Sequence, residues 1–217
     1  MHPIALRRAG ALSLAALLMA AGVRAQDSVY VHVSRIADSY VDTPAGMGLL
    51  QTAVLEADAA VQHADLAVGD SLSVEAMRRH AGHVLQTLDP SLTPEGPGMG
   101  YGVKRAVAVA GGYLDLILAS DSISENVSVH AAYIAAALAD AVQWTDEAIA
   151  LAERLQLAPS LSDARPLASR LDQLCRAIRY GRDANGDRVV SWSRGESGLK
   201  QAVEHMNLMK RGEGLTR

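Results

Sequence analysis

Past residue 46, the apolar residues of this chain recur every third or fourth position, the period that puts them on one face of an α-helix. Leu50, Val54, Ala57, Val61, Ala64 and Val68 form the first stripe, and Gly69-Asp70 ends it. A second opens at Ser73, with Glu75-Ala76 behind it, and runs through Met77, Ala81, Val84 and Leu88 to a stop at Asp89-Pro90. The spacing predicts a third helix from about Val103 to Ala119 and a long fourth from Ser124-Glu125 to Leu155. Pro159 and Pro166 mark the next connection; a fifth helix then runs from Leu167 to Tyr180 and a sixth from Gly198 to Met209. Residues 29–41 combine a strand-like alternation, VYVHV, with the helix-like SRIADSYV, and we read them as a short helix. The chain contains no Phe and 38 Ala, which favours close helix packing over a sheet of aromatic and β-branched residues. The fold class is all-α.

The helical pattern repeats. Laid without a gap on the stretch from Tyr113, the stretch from His63 matches Asp65 to Asp115, Leu66 to Leu116, Glu75 to Glu125, His80 to His130, Ala81 to Ala131 and Leu88 to Leu138. A shared lead-in precedes each copy: Thr43-Pro44 with Gly46-Met47-Gly48, and Thr93-Pro94 with Gly98-Met99-Gly100. Duplication of a helical hairpin, residues 43–90 and 93–140, predicts an up-down four-helix bundle within residues 26–160. A C-terminal helical hairpin, residues 161–217, packs on it. The glycine-rich string TPEGPGMGYGVKRA at 93–106 precedes Lys104 and Arg105 but does not fit a phosphate-binding loop, so it reads as a hinge between the hairpins.

The repeat organises the histidines. Copy one carries His63, His80 and His83, and copy two carries Tyr113, His130 and Tyr133 at the matching places. Each hairpin thus offers one side chain from its first helix and an i, i+3 pair from its second. This layout resembles the ferritin-like di-metal bundles, in which one helix of a hairpin supplies a single ligand and the other a Glu-x-x-His pair. Here His or Tyr stands at the Glu positions, so the resemblance implies a metal site in the bundle with imidazole ligands. Such donors suit zinc, copper or nickel. The expected ligands are His63, His80, His83 and His130, with Tyr113 and Tyr133 as additional site residues. His205 and Met209, four apart on the last helix, are a further pair able to hold cuprous copper, against a plain packing role for the methionine.

The segment from 167 to 209 resembles a degenerate EF-hand, in the order helix, loop, helix. Asp183, Asn185 and Asp187 match loop positions one, three and five; Val189 offers its carbonyl at seven and Ser191 its hydroxyl at nine. Position six, a glycine in that family, is Arg188, and position twelve, a bidentate glutamate, is Arg194. Glu196 lies two residues late. The resemblance implies weak calcium binding at most, or a loop that only joins two helices.

Residues 1–25, with Arg7-Arg8, an apolar run from Ala11 to Ala21 and Val23-Arg24-Ala25, have the form of a cleavable signal peptide. A periplasmic or secreted protein starting near Gln26 is expected, with no membrane contact after cleavage. Without that segment the net charge falls from −4 to about −7, a surface that repels nucleic acid and tolerates cations. The one cysteine, Cys175, can form no internal disulfide and excludes covalent haem attachment through C-x-x-C-H; we expect it to be buried. No nucleophile elbow, H-E-x-x-H or cysteine-histidine signature is present, so catalysis has no candidate outside the metal site. The sequence therefore points to an exported helical bundle that binds a transition metal for buffering, delivery or sensing. The alternative is a non-catalytic structural or interaction protein with an EF-hand-like loop. An alanine-rich bundle face also offers a surface for homodimer formation.

Overall fold

The computed structural model describes residues 28–70 and 72–216; residues 1–25, where a signal peptide is expected, lie outside them. Every regular element among the described residues is helical. Helix α1 covers residues 28–37. After a 3-10 turn at Pro44–Gly46 come α2 (Leu49–Gly69), α3 (Val74–Leu88), α4 (Val103–Leu118), α5 (Glu125–Gln156), α6 (Leu161–Tyr180) and α7 (Leu199–Gly212).

The ambiguous VYVHV stretch is helical because its buried set has helical spacing. Val29, Val33 and Ile36 are in the core, whereas Val31, which a strand would bury beside Val29 and Val33, is 48 % exposed. Three helices start where a serine can cap them. Ser73 Oγ accepts from the Ala76 amide at 3.1 Å, Ser124 Oγ from Val127 at 3.0 Å, and Ser160 Oγ from Asp163 at 3.4 Å. The last of these corrects the sequence reading. Capping at Ser160 starts α6 six residues earlier than expected, and Pro166 lies inside the helix rather than in a connection. Near the amino end of a helix, proline's missing amide costs one backbone bond and its fixed φ is already helical.

Helix α2 lies against α3, α4 and α6, and α5 lies against α3, α4, α6 and α7. Ala53, Ala57, Ala60 and Ala64 line the inner face of α2, and Ala137, Ala141, Ala148 and Ala152 that of α5, with Trp144 filling the core beside them. Helix α7 packs chiefly on α5 and only lightly on α6. The two C-terminal helices are therefore each seated on the bundle rather than on one another. No described helix is long and apolar enough to cross a membrane. Cys175 is buried as expected, and burial pushes its thiol far above the usual range, which leaves it unreactive.

One buried carboxylate fixes the glycine-rich connection between α3 and α4. Glu56 of α2 is fully buried; its Oε1 accepts from the amides of Tyr101 and Gly102, both at 2.9 Å, and its Oε2 from Met99 at 3.1 Å. These amides sit at the start of α4, where an anion is favoured. The chain's own glutamate thus occupies the place an external anion would need. Gly98 is required at this approach, since a Cβ there would overlap Glu56 Oε2. Lys104 pairs with Asp146 at 2.9 Å, and Arg105 lies over the Tyr101 ring, 4.4 Å from its centroid. Both basic side chains after the glycine string are thus engaged within the fold.

Candidate metal centre

His63 and His80 stand at matching distances in sequence from the facing ends of α2 and α3, so the short turn between the helices brings them opposite each other. His83, one turn further along α3, joins them on the same face. His63 Nδ1 lies 3.1 Å from His80 Nδ1 and 3.2 Å from His83 Nδ1. One nitrogen from each of the three half-buried rings lies within 4.8 Å of the other two. Two ligand nitrogens on a tetrahedral zinc ion, at about 2.0–2.1 Å from the metal, stand roughly 3.3 Å apart. His63 is already close to that spacing from each of the other two rings.

The tautomer of His80 follows from its other side. Nε2 is 3.1 Å from Oδ2 of Asp70, the residue that ends α2. A carboxylate can only accept, so Nε2 carries a hydrogen and Nδ1 is the nitrogen that faces His63. A carboxylate behind an imidazole is the usual outer partner of a metal-binding histidine. Burial lowers the His63 ring to about 4, and the neighbouring His83 and His80 rings add to the shift. Burial likewise lowers His83, helped by His80 and Arg79. Both rings are therefore neutral at pH 7, the form a metal needs.

The other expected ligands do not join this group. His130 Nδ1 meets His205 Nδ1 at 2.8 Å instead. Tyr133 stacks on His205, with ring centroids 4.5 Å apart, and Tyr113 faces α1, where it stacks on His32 at 5.4 Å with Tyr40 at its edge. The His130–Tyr133 pair thus faces α7, and Tyr113 is taken up by α1, so the stretch from Tyr113 does not form the cluster that the stretch from His63 forms. His205 does not need Met209 as its partner; both are buried, and His130 supplies the contact. Asp70 was legible only as a helix terminator, although an acid ten residues before a histidine across a tight turn is a usable signal.

The 183–196 loop closes on itself. Asp183 accepts from the amides of Gly186 at 2.6 Å and Arg188 at 2.8 Å, Asn185 from Asp187 at 2.8 Å, and Asp187 from Val189 at 2.8 Å. Arg188, at φ 69, adopts the left-handed conformation that its missing glycine would take. Arg194 is drawn away to α5, where it pairs with the buried Asp140 at 3.1 Å. Glu196 turns inward and accepts from the Ser191 amide at 3.0 Å. Hydrogen bonds from Ser191, then from the Ala184 and Asn185 amides, hold its carboxyl below the usual carboxylate range.

No family model, curated protein or solved structure matches this chain.

Proposed function

We propose that this is an exported helical protein that binds a divalent transition-metal ion, zinc, copper or nickel, through His63, His80 and His83, and serves in metal buffering, delivery or sensing. The convergence of three imidazole nitrogens, with Asp70 orienting one of them, carries the reading. In the absence of an ion, hydrogens can bridge these rings only pairwise, whereas one ion satisfies all three lone pairs at once. A three-nitrogen site leaves a fourth position for water or for a ligand from a delivery partner. Two equivalent helical hairpins, closed as a four-helix bundle, remain our description of the scaffold.

Calorimetry with zinc, copper(II) and nickel should give one tight site per chain, and elemental analysis of protein from its own compartment should identify the resident metal. Asp70→Asn keeps the size of the side chain and removes the charge behind His80, so affinity should fall about 10–100-fold. Binding no tighter than that of a protein lacking the three histidines, or an Asp70→Asn variant with full affinity, would count against the site.

A second reading attaches to the 183–196 loop, favoured by the inward turn of Glu196 and the diversion of Arg194 to Asp140. These remove the two charge objections that the sequence raises against calcium, leaving the oxygens of Asp183, Asn185, Asp187 and Glu196 around one loop. Millimolar calcium should raise the melting midpoint by roughly 3–6 °C over protein in a calcium-selective chelator, as expected for a weak site. Asp183→Ala should abolish the shift. An unchanged midpoint in the parent protein retires this reading.

A further inference from the structure

His130 of α5 and His205 of α7 make a separate pair, their Nδ1 atoms 2.8 Å apart and their rings tilted by 45°. His205 is only 2 % exposed, and its Nε2 is buried with no hydrogen-bond partner. A neutral imidazole brings one donor and one acceptor, and contact with His130 uses just one of them. A buried polar atom in that state is uncommon and sets this pair apart from ordinary packing contacts. Burial lowers both rings, and His130 further lowers His205, so the pair is neutral at pH 7.

The surroundings differ from those of the three-histidine centre. Tyr133 stacks on His205 at 4.5 Å, and Trp192 meets the same ring at 4.6 Å, nearly perpendicular. Asp70 stands behind the first centre, whereas the acid acting on His205 is Glu204, which is exposed and 4.0 Å from Lys200. Zinc takes four ligands, and this pair supplies two nitrogens. Desolvating a double charge without a carboxylate is also far costlier than desolvating a single one. Aromatic faces favour a cation of low hydration.

We propose that His130 and His205 form a second metal site, specific for monovalent copper, held between their Nδ1 atoms under Tyr133 and Trp192. The hydrogen that now lies between the two Nδ1 atoms moves to Nε2 of the ring that carries it. Both rings stay neutral, and both Nδ1 lone pairs face the ion. Half-buried His130 is the ring able to turn and open the gap. The chain then sorts copper by charge, with divalent ions at His63, His80 and His83 and cuprous ion at the α5–α7 contact.

The test uses full-length protein carrying His63→Ala and His83→Ala, which dismantles the first centre, and titrates copper(I) anaerobically against a chromophoric copper(I) chelator. One equivalent should be retained, with quenching of the emission of half-exposed Trp192. Adding His130→Ala should weaken binding at least 100-fold and remove the quenching, with the helical circular dichroism unchanged. Failure to compete for copper(I), equal retention without His130, or zinc bound as tightly as copper(I) in the dismantled protein would each overturn the proposal. Zinc binding by the parent protein, measured separately, reports on the first centre alone.

Discussion

His63→Ala is expected to weaken zinc or copper(II) binding at least about 100-fold, while His130→Ala leaves that affinity unchanged. The asymmetry follows from position. His63 alone is within about 3 Å of both other rings, so its loss leaves His80 and His83 as two ligands on one helix face without the one from α2. His130 is engaged with His205 and contributes nothing to this cluster. Isothermal calorimetry on both variants decides between a three-histidine and a four-histidine site; equal losses would restore the fourth ligand. Above about pH 5 protons should not compete with the metal at His63 itself, because that ring is lowered to about 4, first by burial and then by its neighbours. The same shift makes the metal-free fold sensitive to acid. As pH falls through 6.5 the unfolded chain takes up a proton at His63 and the native chain does not, until about pH 4. Stability is therefore full above 6.5 and declines below it, by on the order of 1 kcal/mol after solvent screening of this half-buried ring.

Glu56→Ala should be the most damaging single change to the fold, lowering stability by about 3–5 kcal/mol and the melting midpoint by roughly 10 °C. It strips one carboxylate from the amides of Met99, Tyr101 and Gly102 and leaves those donors facing a dry gap next to α4. Glu56→Gln retains an acceptor but presents an amide group to backbone donors, so it should fall between the parent and the alanine variant. Scanning calorimetry of both variants provides the measurement. A midpoint within 2 °C of the parent for Glu56→Ala would show that water replaces the carboxylate, and the hinge would then owe its shape to its glycines.

Much of this molecule was legible because helices are local. The stripes that begin at Leu50, Ser73, Val103 and Ser124 mark α2 to α5 to within a residue or two, since apolar spacing and serine caps act within a turn or so of chain. Pro166 misled for the converse reason: a proline tolerated inside α6 cannot be told from one in a loop without seeing the cap at Ser160. The histidine cluster was half legible. His63, His80 and His83 belong to one hairpin, and the tight turn at Asp70 fixes their register. His130 lies apart from them, against His205, because its place depends on which face of α5 meets α7 and not on the spacing it shares with His80.

By itself the sequence determined the helices, the hairpin that gathers three imidazoles and the oxygen-rich outline of the 183–196 loop, all set by interactions between residues close along the chain. Tertiary structure decided the rest. The seating of α7 on α5 gave His130 to His205 across 75 residues, α1 claimed Tyr113, and Asp140 took the Arg194 side chain from the loop. Such pairings depend on which helix faces meet, and helix faces meet to bury apolar area; the polar side chains along the seams then find whichever partner that burial brings within reach.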